Sequence, residues 1–213
     1  MDDPELDAGR ANLLGLLRTE ESWTDTLRRV AALACATIPG CDAGSVTLWR
    51  EGHPYTVVST DDLAQTIDDA QYDVMEGPCL DASRYGEAYV IADMADEPRW
   101  PTFAGVAAQR GARSSLSLPL VVANEPIGAL NLYATKPRGF EGAEPAGRAF
   151  AKQASVAIAN ARVYQASRQL AESLDAALRS SAESEQAKGR ALAERAFRRN
   201  APAEGSEPPT LEG

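Results

Sequence analysis

Beyond its first turn, the stretch from Pro145 to Arg199 holds one glycine, Gly189, and no further proline, so nothing in it stops an α-helix over about 55 residues. At 1.5 Å per residue that helix is on the order of 80 Å long, more than the width of one ordinary domain. It is therefore expected to leave the body on which it starts. Pro145 stands where a first helical position tolerates proline. Phe150, Ala154, Ala157, Ile158 and Ala161 give the first turns a small apolar face suited to packing on a sheet. Farther on, Val163, Leu170 and Ala177, with Leu174 between them, approximate a heptad seam and predict a short parallel coiled coil, hence a homodimer. The same register then brings Ser181, Ser184, Lys188 and Arg195 inside, so the seam fades.

The residues before the long helix must supply the compact domain. Trp23, Leu27, Val30, Ala31, Ala34 and Ile38 fall on one helical face after a start signal at Ser22, and Pro39-Gly40 ends that helix. A shorter leucine-rich helical segment, Leu13 to Leu17, precedes it. Ser45 to Trp49 and Tyr55 to Thr60 read as strands of a hairpin joined by Glu51-Gly52-His53-Pro54. Helical spacing returns over Asp62 to Tyr72, followed by a loop, Glu76-Gly77-Pro78-Cys79. Tyr89-Val90-Ile91 reads as a short strand and Arg99 to Arg110 as a helix. Ser114 to Val122 and Pro126 to Ala134 are strands: Leu116, Leu118 and Leu120 oppose Ser115 and Ser117, while Leu130 and Leu132 oppose Asn131 and Tyr133. The sum is an α+β fold, an antiparallel sheet with its N- and C-terminal helices on one face, extended by the long C-terminal helix. The expected organisation is a tail at 1–11, a compact domain at 12–166, a coiled-coil segment at 167–199 and a Pro/Gly/Ser/Glu-rich tail at 200–213.

Composition narrows the function. The 213 residues are 44% hydrophobic and 24% charged, close to an average soluble domain. No run approaches the ~18 apolar residues of a bilayer crossing. The start, Met1-Asp2-Asp3-Pro4-Glu5, is acidic where a secretory signal is basic, so a cytoplasmic protein with no membrane partner is expected. A net charge of −10 disfavours nucleic-acid binding over the whole surface and leaves only a local basic patch for it. Cys35, Cys41 and Cys79 form no Cys-x-x-Cys pair, so reduced thiols are expected. One histidine, His53, excludes a His-rich metal site, and no metal is expected.

A sheet covered on one face by terminal helices leaves the other face to the middle helices and loops, where small-molecule pockets form. Several stretches, in this order and spacing, resemble the GAF domain family across about residues 20–166: Ala43-Gly44-Ser45-Val46-Thr47-Leu48, Glu76-Gly77-Pro78-Cys79-Leu80-Asp81-Ala82, Arg113 to Leu120, Ile127 to Tyr133 and Ala151 to Ala161. The resemblance implies ligand sensing, dimerisation and signal transduction rather than one fixed chemistry, with no cofactor specified, and a protein that is not an enzyme is expected. Of the signature carried by cyclic-nucleotide-binding members, Lys136, Phe140 and Glu144 match while Thr135 and Pro145 depart from it.

The candidate pocket residues are Ser45, Thr47, Cys79, Trp100, Phe103, Ser115, Ser117, Asn131 and Tyr133. Each has a plainer reading. The polar strand residues suit a half-exposed sheet equally well, Trp100 and Phe103 suit a core, and Cys79 suits a buried inert thiol. A cysteine-dependent enzyme resembling the GAF-fold class that reduces free methionine sulfoxide is an alternative function, with Cys79 as its thiol.

Leu178 to Arg195, centred on Gln186-Ala187-Lys188-Gly189, resembles the first helix of an ANTAR domain, a three-helix RNA-binding module. Arg190-Ala191 stands where that module has an apolar pair, and nothing in the chain matches its second and third helices. The resemblance implies transcription regulation, with an antiterminator that binds an RNA hairpin as a further alternative. Lys188, Arg190, Arg195, Arg198 and Arg199 are the candidate RNA contacts. Residues 179–199 carry six basic groups against three acidic ones, which also suits a solvated helix with cations near its C-terminus.

Overall fold

The computed structural model describes residues 23–200, with the side chains of 181, 182 and 196–200 left out. The sequence-predicted tails, apart from Asn200, which is helical, and with them the leucine segment at 13–17 and the Ser22 start signal, lie outside the described residues.

Helix α1, Trp23–Thr37, forms on the spacing of Leu27, Val30, Ala31 and Ala34, all buried. Strands β1, Ala43–Arg50, and β2, His53–Ser59, are joined by a two-residue turn at Glu51-Gly52, both at positive φ. That turn hand matches the strand twist and starts β2 at His53 itself rather than after the four-residue connection predicted. Helix α2, Asp62–Val74, is capped by the Asp61 carboxylate, which accepts from the Ala64 N–H at 3.0 Å. Helix α3, Pro78–Tyr85, begins on Pro78, so Cys79 lies in a helical turn and not in the loop expected. Pro78 fits there because a first helical position has no N–H to satisfy. Strand β3, Tyr89–Ile91, a 3₁₀ turn at Met94–Asp96, helix α4, Pro101–Gln109, and strands β4, Ser114–Val122, and β5, Glu125–Ala134, follow. Helix α5 runs from Glu144 to Asn200.

The five strands pair antiparallel in the order β2-β1-β5-β4-β3. Their register sorts side chains by face. Val46, Leu130 and Leu118 stand in one row across the sheet, beside Leu132 and Leu116. These pack with Leu27, Val30 and Ala34 of α1 and Phe150, Ala154 and Ile158 of α5 in one apolar core. Where the β4–β5 register shifts at Leu120/Val121, the Val121 N–H donates to Ser155 Oγ of α5 at 3.0 Å, so the irregularity leaves no orphaned donor.

Helix α5 has two environments along its length. Its residues Phe150, Ala151, Ala154, Ala157 and Ile158 are buried, whereas Val163, Leu170, Leu174 and Leu178 are 70%, 64%, 56% and 64% exposed. Contacts divide the described residues into two units, with the boundary between Gln165 and Ala166. Among the described residues, no helix is long and apolar enough to cross a membrane.

Candidate functional site: a buried polar layer on the sheet

The second face of the sheet carries polar rows. Ser45, Asn131 and Ser117 stand side by side across β1, β5 and β4, and Ser115 pairs with Tyr133. Thr56 of β2 stands opposite Thr47 of β1. Helices α2, α3 and α4 cover this face, so Ser45, Thr47, Ser115, Ser117, Asn131 and Tyr133 have no solvent exposure. In water a serine hydroxyl keeps its hydrogen bonds, so a row of them sealed under helices must find partners within the layer.

Asp68 and Gln71 of α2, both fully buried, supply many of those partners. The Tyr133 hydroxyl donates to Asp68 Oδ1 at 2.5 Å, and Thr56 Oγ1 donates to Asp68 Oδ2 at 2.7 Å. Gln71 Nε2 donates to the Tyr133 hydroxyl at 3.0 Å. Asn131 Nδ2 lies 2.9 Å from Thr47 Oγ1, 3.2 Å from Asp68 Oδ1 and 3.2 Å from Cys79 Sγ. Cys79 Sγ donates to Thr47 Oγ1 at 3.2 Å, and the Tyr72 hydroxyl bridges Thr47 and Thr56 at 2.7 and 2.9 Å. Three polar atoms remain without a partner: Ser115 Oγ, Ser117 Oγ and Asn131 Oδ1. Each such group costs about 1–3 kcal/mol of folding stability, so the layer is not arranged for stability alone.

Burial dominates the electrostatics. It pushes the Asp68 carboxyl up to about 6, against the hydroxyls of Ser45, Tyr133 and Thr56, which favour the charged form. The Cys79 thiol and the Tyr72 and Tyr133 phenols are pushed up by burial first and by the Asp68 charge second. A thiol raised in this way is protonated at neutral pH and is a poor nucleophile.

The helical roof is tied to the layer by side chains from the α2–α3 loop region. Gln71 Oε1 accepts from the Cys79 N–H at 2.9 Å, satisfying one N-terminal donor of α3. That side chain fills the space beside Gly77, where a Cβ would stand 2.3 Å from Gln71 Oε1, and Gly77 has a φ of +146° that side-chain-bearing residues rarely adopt. Glu76 Oε1 accepts from the Thr102 and Phe103 N–H groups at 2.9 and 3.2 Å, capping α4 from a distant loop. Trp100 Nε1 donates to Asp81 Oδ2 at 2.9 Å, and the Trp100 ring meets Tyr89 edge-on.

The structure thus brings Ser45, Thr47, Cys79, Asn131 and Tyr133 into one hydrogen-bonded cluster, with Ser115 and Ser117 beside it by register. Trp100 and Phe103 lie in the neighbouring apolar cluster with Ile67, Ile91, Met94 and Tyr133. Sequence reasoning missed Thr56, Asp68, Gln71 and Tyr72. A signal existed: Asp68, Gln71 and Tyr72 recur at i, i+3 and i+4 beside the Ile67 stripe, a polar face next to an apolar one. Lys188, Arg190 and Arg195 are exposed on α5, with Lys188 Nζ held by Glu185 at 2.9 Å; the side chains of Arg198 and Arg199 lie outside the described residues. Among the described residues, no group of three His, Cys, Asp or Glu side chains is placed to hold a metal ion.

Comparison with known proteins places this architecture. The GAF domain model matches residues 20–159. The chain belongs to the GAF domain family, which is typical of sensory and regulatory signalling proteins and whose members commonly bind small molecules. No curated protein matches the chain. Among solved structures, it is similar to the GAF domain of a phosphoenolpyruvate-protein phosphotransferase from Coxiella burnetii at 18% identity and a TM-score of 0.57, over 76% of this chain and 97% of that one. It is similar to the free methionine-R-sulfoxide reductase from Neisseria meningitidis in complex with its substrate at 17% identity and a TM-score of 0.59, over 76% and 94%. It is also similar to the nlh2 GAF domain of A. aeolicus in an inactive state at 12% identity and a TM-score of 0.55, over 72% and 94%. At these identities the likeness is one of fold.

Proposed function

We propose that this protein is a dimeric GAF sensor that binds a small polar molecule between the polar sheet face and the α2–α4 roof and signals along α5. The observation that carries the reading is the set of partnerless atoms, Ser115 Oγ, Ser117 Oγ and Asn131 Oδ1, buried in the strand rows whose Asn131 and Tyr133 bond to the Asp68 carboxyl. Two hydroxyls and a carbonyl oxygen facing the roof offer a guest both donors and acceptors. Supporting the relay, Phe150, Ala154 and Ile158 pack behind the same strands, and the helix they start continues to the exposed Val163, Leu170 and Leu174. A guest that shifts the strands changes the packing of α5, and a second copy joined along the apolar seam registers that change.

Binding without turnover is the favoured role, since the raised Cys79 thiol is ill suited to attack a sulfoxide. An RNA-binding role has less support, because the net charge of −10 leaves only the local basic strip of α5 for it, where Lys188 and Arg179 also pair with Glu185 and Asp175.

The test is a thermal-shift screen of free amino acids, nucleosides and cyclic nucleotides on the full chain. A binder at 100 times its Kd stabilises by about 2.7 kcal/mol, and Asn131→Leu is expected to abolish that shift while remaining folded by circular dichroism. A shift that persists in Asn131→Leu places the guest elsewhere. For the output, Leu170→Glu combined with Leu174→Glu is expected to turn a dimer into a monomer by light scattering. A persistent dimer removes the seam as the main contact.

A further inference from the structure

Helix α1 ends close to where β1 begins, and two of the three cysteines meet there. The Cys41 thiol donates to Cys35 Sγ at 2.9 Å and lies 3.3 Å from the Ala43 carbonyl oxygen. Both residues are partly exposed, unlike the sealed Cys79. A disulfide needs sulfurs about 2.05 Å apart, so closure takes about 0.9 Å of side-chain and loop adjustment. Gly44 leaves the space that Cys35 occupies, since a Cβ there would stand 2.7 Å from its sulfur. We propose that Cys35 and Cys41 are a hydroperoxide-oxidised dithiol that closes to a reversible disulfide.

The chemistry balances with the hydroperoxide as oxidant. The Cys35 sulfur, as thiolate, attacks one peroxide oxygen; the O–O bond breaks, the leaving alkoxide or hydroxide takes up the proton lost from Cys35, and Cys35 becomes a sulfenic acid. The Cys41 sulfur then attacks the Cys35 sulfur; the S–O bond breaks, and the hydroxyl leaves with the Cys41 proton as water. Two thiols and one hydroperoxide yield one disulfide, one alcohol (or water) and one water. The assignment of the attacking sulfur follows from the contacts: the Cys41 S–H and then the Thr60 hydroxyl favour a Cys35 thiolate, and hold its thiol below the usual value despite burial and the Asp61 and Asp42 charges. Cys41 is shifted the opposite way by the same contact.

The position has a consequence for the rest of the fold. The residue after Cys41, Asp42, ties this junction to β5: its N–H donates to the Tyr133 carbonyl oxygen at 2.9 Å, and its carboxylate accepts from Thr135 N and Oγ1 at 2.7 and 2.6 Å. Closing the disulfide therefore moves the loop one residue from the strand end that carries Tyr133 of the polar layer. The inference stands independently of the proposed ligand.

The experiment exposes the reduced full chain to hydrogen peroxide, alkylates the remaining thiols after denaturation, and maps tryptic peptides. Cys35 and Cys41 fall together in Val30–Arg50, and Cys79 falls in Glu51–Arg84. The expected result is a Val30–Arg50 peptide that has lost two hydrogen atoms and resists alkylation until dithiothreitol is added, with Cys79 fully alkylated. Cys41→Ser is expected to halt at a sulfenic acid on Cys35 that dimedone captures, and Cys35→Ser to yield at most a tenth of that adduct at Cys41. The proposal is overturned if peroxide leaves both thiols alkylatable, links cysteines of different chains instead, or oxidises Cys79 first. The wild-type peptide map decides the matter even if either variant fails to fold.

Discussion

The two faces of the sheet are equally buried and chemically opposite. On one, Val46, Leu116, Leu118, Leu130 and Leu132 meet the apolar sides of α1 and α5, and the one buried strand hydroxyl beside them, Ser114 Oγ, is satisfied by the Lys136 carbonyl oxygen and the Gly139 N–H. On the other, Ser45, Thr47, Ser115, Ser117, Asn131 and Tyr133 are sealed under α2, α3 and α4, and three of their polar atoms find no partner. A chain optimised only to stay folded would make both faces alike, because an apolar layer of the same volume is at least as stable as a half-satisfied polar one. The difference separates a face that holds the domain together by apolar packing from one that leaves buried polar atoms unpaired.

The comparison is breakable by measurement. Leu118→Ala is expected to show the largest effect, a loss of about 3 kcal/mol in urea unfolding, since the leucine sits in a fully buried row. A loss below about 1 kcal/mol would mean that this face is not the stabilising one. Asp68→Asn tests the polar face through pH. Because the carboxyl is raised from 3.8 to about 6 on folding, the native state keeps a proton that the unfolded chain has released. Stability from this group is therefore greatest below about pH 4, falls as pH rises towards 6, and stays low above it, a span on the order of 2–3 kcal/mol. Asp42, held down by the Thr135 hydroxyl and N–H, and Asp93, held down by Arg113, act in the opposite direction. The readout is thus the wild-type profile minus that of Asp68→Asn, and a flat difference would remove the assigned titration. Tyr133→Phe deletes the hydroxyl between Asp68 and Gln71 and is expected to cost about 1–2 kcal/mol by the same unfolding assay. Smallest in cost is Ser115→Ala with Ser117→Ala, expected to lose no stability and to gain about 1 kcal/mol or more, because neither hydroxyl has a partner to lose and each is a buried polar group left unpaired. A marked loss there would show that both hydroxyls are bonded in solution.

Much of the leucine face was legible in the sequence, because alternation over β4 and β5 and helical spacing in α1 each specify which side turns inward. The polar residues of the same strands were legible as one group for the same reason, yet their burial was not, since a two-residue period says nothing about what lies above a face. The roof was harder. Gly77-Pro78 reads as a loop signal, but Pro78 starts a helix and carries Cys79 inward. Asp68 and Gln71 were not legible as site residues, because polar side chains at helical spacing do not report burial; hydrogen bonds to Tyr133 of β5 hold them inside. The meeting of Cys35 and Cys41 depends on a chain reversal between α1 and β1 that spacing alone does not define.

The Glu76 carboxylate ends one helix's neighbourhood and begins another's, joining the α2–α3 turn to the first amides of α4. With Gln71 clasping α3 from below, the cover over the polar rows is bolted at its corners rather than laid as separate slats. Lifting any single slat breaks a bolt shared with the next, so the three helices are expected to lose their amide protection in hydrogen exchange together, as one cooperative unit.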